Sequence, residues 1–171
     1  MIKTKRWNDP VEADDGFRLL VCHYRPRGVP KKKETWDLWW SHLGPSKDLH
    51  AAFYGKAGSF INWEEYRRRY LDEMKEHDES IAVLAEDVAA GKTLTLLCSS
   101  ACTDESRCHR VLLKELIEAR VAQGPPWTAE EEPDPDSPGG QRDLGEEPDR
   151  GAVDDQLGEV LLRMRRDQDH R

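Results

Sequence analysis

Apolar residues fall along the first 121 positions in short blocks, some spaced as strands and some as helices. Residues 93–98 read Thr-Leu-Thr-Leu-Leu-Cys after Gly91, a mostly apolar run that predicts a buried strand. Val111, Leu112, Leu116 and Ile117 recur at helical spacing and predict an amphipathic helix directly after it. The polar loop between them offers Thr103 or Asp104 as N-cap. Residues 17–23, Phe-Arg-Leu-Leu-Val-Cys-His, predict another strand, and residues 2–6 a short edge strand. Tyr24-Arg25-Pro26-Arg27-Gly28 then forces a turn. Four helices are expected before residue 93. Thr35 caps a short one carrying Trp36, Leu38, Trp39 and Trp40, and Pro45-Ser46 opens one with Leu49, Ala52 and Phe53. Asn62 caps one through Trp63, Tyr66, Tyr70, Leu71 and Met74, with Glu65 at the capping-box position. Asp78 opens the fourth, through Ile81, Leu84, Ala85 and Val88.

Strands separated by several helices predict an α/β fold: a small, mainly parallel sheet flanked by helices, with right-handed crossovers. Ligands bind such sheets beyond the C-terminal strand ends, which the loops 23–28 and 99–110 leave. The domain is expected to span 1–121. Residues 122–153 hold six of the ten prolines and many acids, so a disordered acidic linker is expected there. Residues 154–166 carry Leu157, Val160, Leu161 and Met164 on one stripe. They predict an amphipathic helix that docks on the domain or on a protein partner, ahead of a disordered end at 167–171.

Charge sharpens this division. The net charge is −8, yet residues 1–121 hold twenty basic and twenty acidic side chains. The excess acid lies wholly in 122–171, so it does not bar an anion from the domain. No apolar leader and no run of about 20 apolar residues is present. The expectation is a cytoplasmic protein without membrane contact, whose four cysteines are thiols, metal ligands or redox groups rather than structural disulfides.

Cys98, Cys102, Cys108, His109, Arg107 and Arg110 crowd the 98–110 junction. A strand–loop–helix junction aims free N–H groups at an anion, and a cysteine at a helix start beside arginines is favoured as thiolate. The leading expectation is an anion held by Arg25, Arg27, Arg107 and Arg110, with Cys102 or Cys108 as reactive thiolate. His109 is then a proton-transfer group or orienter, and no cofactor is called for. A second reading is a non-enzymatic module that recognises phosphate or nucleic acid with the same arginines, Lys31-Lys32-Lys33, and Trp36, Trp39 and Trp40 as stacking surfaces. A third is a metal held by Cys98, Cys102, Cys108 and His109.

Each has a structural counterpart. The tryptophans at helical spacing read as core, and Cys98, ending a buried strand, reads as packing. Cys108-His109-Arg110 are consecutive, so on a helix they cannot all share one face. Cys-x3-Cys-x5-Cys-His is not a standard zinc pattern, and the loop lacks glycine and any Cys-x5-Arg. No Ser-His-Asp order, dinucleotide fingerprint or His-Glu-x-x-His is present.

A family likeness joins several of these motifs. Gly16-Phe17-Arg18-Leu19-Leu20-Val21, Arg25-Pro26-Arg27-Gly28, the Trp-rich segment, Pro45-Ser46-x-x-Leu49, Tyr66, Tyr70 and Cys108-His109-Arg110 together resemble the domain of unknown function 488 family, near its YeaO-like branch. The likeness covers roughly residues 1–120. It implies a cytosolic α/β domain and no established reaction. YeaO-like proteins tend to carry an Asp-Arg pair and a Trp before Pro-Arg-Gly, where this chain has Cys22-His23 and Arg25.

Overall fold

The computed structural model describes residues 1–56, 58 and 60–124. Four parallel strands form one sheet: β1 (Ile2–Arg6), β2 (Phe17–Leu20), β3 (Leu38–Trp39) and β4 (Leu94–Cys98), in the order β1-β4-β2-β3. β4 lies inside, with Leu94 beside Ile2 on one flank and beside Phe17 on the other. All five of its residues are buried, as a parallel strand covered on both faces requires. Each buried leucine contributes about 1.5–3 kcal/mol. The α/β class and parallel sheet expected from the sequence are thus what the chain adopts.

The helices are α1 (Lys47–Phe53), α2 (Trp63–Glu73), α3 (Asp78–Ala89) and α4 (His109–Gln123). Ser46 caps α1, its hydroxyl accepting the Leu49 N–H at 3.1 Å. Asn62 caps α2 by accepting the Glu65 N–H at 2.9 Å. The Glu65 carboxylate pairs with Arg68 and Arg69 instead of reaching back to the cap. α4 packs on α3 and against β1 and β4, and ends at Gly124, whose φ of 71° is open to glycine. The expected boundary at 121 therefore falls inside α4. The remainder of the expected 122–153 linker, the 154–166 helix and the 167–171 end lie outside the described residues.

Three expected elements differ. The helix over 36–40 is absent; Leu38 and Trp39 instead pair with Leu19 and Leu20 as edge strand β3. The Asp37 and Trp40 N–H groups donate to the Arg18 and Leu20 carbonyls at 2.8 and 2.9 Å, and the Trp39 indole donates to the Cys22 carbonyl at 2.7 Å. Aromatic residues suit a pleated, half-buried surface, and the open edge of β2 supplied acceptors that a five-residue helix could not. Trp36 and Trp40 are buried, so they are core without being helical. β2 stops at Leu20, short of 23, though the Val21 N–H still reaches the Leu97 carbonyl at 2.9 Å. Asp104 caps only a 3₁₀ turn, Glu105–Arg107, by accepting the Ser106 N–H at 3.1 Å.

The two ends of the sheet differ in chemistry. At the entry end, Asp15 is 1% exposed and pairs with Arg18 and with the Lys5 ammonium, the latter at 2.6 Å. The Thr95 hydroxyl donates to the Asp15 carbonyl at 2.6 Å. Gly16 turns the chain there at φ 61°, and a Cβ on it would stand 2.2 Å from the Thr93 carbonyl oxygen. At the exit end, Gly44 lies against the chain leaving β2; its Cβ would meet the His23 nitrogen at 2.6 Å. This exit end carries the thiols.

Candidate functional site

Cys98 ends β4, Cys102 sits in the following loop, and Cys108 precedes α4. Their three sulfurs lie within 4.8 Å of one another. Cys22, just past β2, joins the same buried cluster, which Trp36, Leu20 and Leu97 complete. Cys22, Cys98 and Cys108 are buried, and Cys102 alone is partly exposed. Beside Cys108 and Cys98, the Cys102 thiol is held down to about 3, and His109 and Arg110 add electrostatic support. The same sharing pushes the Cys108 thiol up through Cys102 and Cys98. Cys98 is also raised, first by Cys102. Of the three coupled thiols, the one at the mouth is thus the most acidic, and the two behind it hold their protons more tightly.

Cys108, His109 and Arg110 are all buried, contrary to the one-face argument. Cys108 is not helical; its φ and ψ of −125° and 138° are extended, and α4 begins only at His109. The bend at Cys108 lets three successive side chains turn inward. No side chain caps α4; the Val111 N–H donates to the Cys108 carbonyl at 3.1 Å, and the N–H groups before it have no intrahelical acceptor. His109 packs against the Tyr70 ring at 5.7 Å, and its Nε2–H donates to the Val21 carbonyl at 2.7 Å. A carbonyl only accepts, so Nε2 carries the proton. Burial pushes this imidazole down to about 4 and keeps it neutral. Its Nδ1 stands 4.0 Å from the Cys98 sulfur.

Arg110 is 4% exposed, yet its Nε and Nη1 are buried with no hydrogen-bond partner. Its charge is felt by both Cys102 and Asp9. A buried guanidinium with orphaned donors is costly, about 1–3 kcal/mol or more for a charged group, and calls for an acceptor.

The structure thus brings together Cys98, Cys102, Cys108 and His109, with Arg110 next in the first turn of α4. Arg25 stands one layer away: it pairs with Glu34 and lies 5.9 Å over the Trp36 ring, whose indole packs in the thiol cluster. Arg27 and Arg107 are exposed, without a hydrogen bond or ion pair among the described residues. Tyr54, half-exposed at the end of α1, was not foreseen. Burial raises its phenol, and Cys102 and its neighbours raise it further; nothing in the spacing of residue 54 signals this. A cavity of about 290 Å³ lined by His23, His42, Ser46, Glu73 and His77 holds none of the four cysteines. For a metal, Cys98, Cys102 and Cys108 are the one thiol donor set among the described residues, and His109 has only Nδ1 left to add.

Residues 2–121 match the family described as the active DUF488-N3 subclade. The chain belongs to the DUF488 family. A relative from Escherichia coli strain K12, the uncharacterized protein YeaO, is 34% identical over 116 residues, which is 68% of this chain and 96% of YeaO. Two mycobacterial relatives, Mb3100c of Mycobacterium bovis and Rv3073c of Mycobacterium tuberculosis, are each 24% identical over 119 residues, 70% of this chain and 95% of theirs. Both are also called uncharacterized. No solved structure matches. The DUF488 match stops at 121, within α4, so every cysteine of the cluster lies inside the family region. No helix among the described residues is long and apolar enough to cross a membrane.

Proposed function

We propose that this DUF488 protein is a thiol-dependent enzyme acting on a small anionic substrate at the exit end of the sheet. Cys102 is the nucleophile. Cys98 and Cys108 hold it as thiolate by S–H donation, Arg110 and the first turn of α4 bind the anion, and His109 orients the helix start through Val21. Arg25, Arg27 and Arg107 stand farther out and attract the anion toward the mouth. The observation that carries this reading is the Arg110 guanidinium, buried with two donors unpaired and near enough for its charge to favour the Cys102 thiolate. An anion over Cys102 supplies the acceptors those donors lack; a metal ion on the three sulfurs supplies none. The family's description as an active subclade accords with an enzyme.

The test is alkylation of Cys102 by iodoacetamide with and without inorganic phosphate or sulfate, followed by mass spectrometry. Either anion is expected to slow modification of Cys102, and Arg110→Met to abolish that protection. Unchanged labelling rates in the anion would refute the site. Protection without any covalent substrate adduct across a panel of anionic electrophiles would point to the binding-module reading. Stoichiometric metal in the purified protein would point to the metal reading.

A further inference from the structure

We propose that Cys102 and Cys108 form a reversible disulfide when the protein meets a hydroperoxide, with Cys102 as the oxidised thiol and Cys108 as the resolving one. The inference rests on Cys102 being the accessible thiol of the proposed site, but not on the anion. Three sulfurs within 4.8 Å of one another leave a gap of at most about 3 Å to close, given an S–S bond of about 2.05 Å. Cys102 can close it. Its backbone is held only by local bonds, from its own N–H to the Ser99 carbonyl and from Thr103 to Ala101, both 3.0 Å. Cys98 cannot move toward it, since β4 pairs on both flanks and the Cys98 carbonyl accepts the Trp7 N–H at 2.8 Å.

Two thiols could resolve, and the geometry favours Cys108. Cys98 is fixed in β4, whereas Cys108 precedes α4. Cys108 also ends the same loop as Cys102 and lies outside any strand. Cys102 alone is partly exposed, so peroxide reaches it first, while Cys108 is buried.

The step balances. The Cys102 thiolate attacks the peroxide O–O bond; the sulfur gains one oxygen and is oxidised to sulfenic acid, and hydroxide leaves. Cys108 enters this step as a thiol 4.8 Å or less from the Cys102 sulfur. The hydroxide takes the Cys108 proton and leaves as water. The Cys108 thiolate attacks the sulfenic sulfur, the S–S bond forms, the S–O bond breaks, and a second water leaves after protonation. The peroxide has taken two electrons. A small thiol reductant reverses the product.

The experiment treats the full, reduced chain with hydrogen peroxide and maps its peptides by mass. The expected product is two hydrogen masses lighter, with Cys102 and Cys108 linked, and dithiothreitol restores the starting mass. Cys108→Ser is expected to stop at a Cys102 sulfenic acid, one oxygen heavier and trapped by dimedone; Cys98→Ser is expected to form the disulfide as before. A Cys98–Cys102 link, no link, or Cys102 two oxygens heavier in the unaltered chain would overturn the proposal. The map of the unaltered chain decides even if a variant misfolds. No anion enters the assay, so loss of phosphate protection leaves this inference standing.

Discussion

The pH profile of Cys102 alkylation gives a sharp check on the thiol cluster. An ordinary thiol has a pKa near 8.5. At pH 6 roughly one in three hundred such groups is thiolate, and the fraction rises about tenfold per pH unit. Cys102, held down to about 3 beside Cys108 and Cys98, should be fully ionised from pH 5 upward. Ionisation does not translate directly into speed. Thiolate nucleophilicity falls with pKa at a Brønsted slope of about 0.4–0.5, so this thiolate is roughly three hundred times less reactive than an ordinary one. The two factors cancel near pH 6. Cys102 should react with iodoacetamide about tenfold faster than a model thiol at pH 5 and well over tenfold slower at pH 8. Half-burial scales every rate alike, so it shifts the crossing point but leaves the line flat. The assay is timed quenching and peptide mapping at half-unit steps from pH 5 to 9. Cys108→Ala removes the stronger S–H donor, and a rising slope should appear in the acid range. A tenfold rise per pH unit at Cys102 in the unaltered protein would refute the cluster as described.

Arg110→Met should raise the melting midpoint while ending anion protection, because the orphaned donors vanish and the methionine stem fills similar space; a lower midpoint would show that Arg110 is chiefly structural. Asp15→Asn should destabilise by about 3–5 kcal/mol in denaturant unfolding, since Arg18 is left buried beside a neutral partner. His109 carries a pH signature. Its folded value of about 4 lies below the ordinary imidazole value of 6.5, so its neutral state supports the fold fully above 6.5. That support is lost as pH falls toward 4, by an order of about 3 kcal/mol; a stability curve flat across this window would contradict the buried neutral ring. Tyr70→Phe should cost about 1–2 kcal/mol, because its hydroxyl donates to the Leu43 carbonyl at 2.8 Å in the core.

Much of the architecture could be read along the chain because local chemistry and tertiary context agree there. The run at 94–98 is apolar on both faces, which only a covered parallel strand needs, and Ser46 and Asn62 mark helix starts by a mechanism confined to three residues. The Trp-rich segment could not be read this way. Its fate depended on the free edge of β2, which is a partner distant in sequence, and the spacing of its indoles fits either period. The site divides similarly. The gathering of Cys98, Cys102 and Cys108 was legible from proximity in the chain. The inward turn of Cys108-His109-Arg110 was not, because it hinges on one extended residue before the helix. Nor could the orphaned state of Arg110 be seen, since a missing partner leaves no mark in sequence.

The strand order has a consequence for how this molecule is made. β1 and β2 never touch; both wait for β4, and Ile2 finds Leu94 only across some ninety intervening positions. At synthesis rates of about 5–20 residues per second, the amino-terminal strand spends several seconds with its ladder groups unmet. Pairings of such sequence separation carry a large loop-closure entropy and place this fold among slow folders with high contact order. Because Cys98, Cys102 and Cys108 follow or end the strand that completes the sheet, no nascent fragment lacking β4 can assemble the thiol cluster. Chemistry and folding finish in the same event.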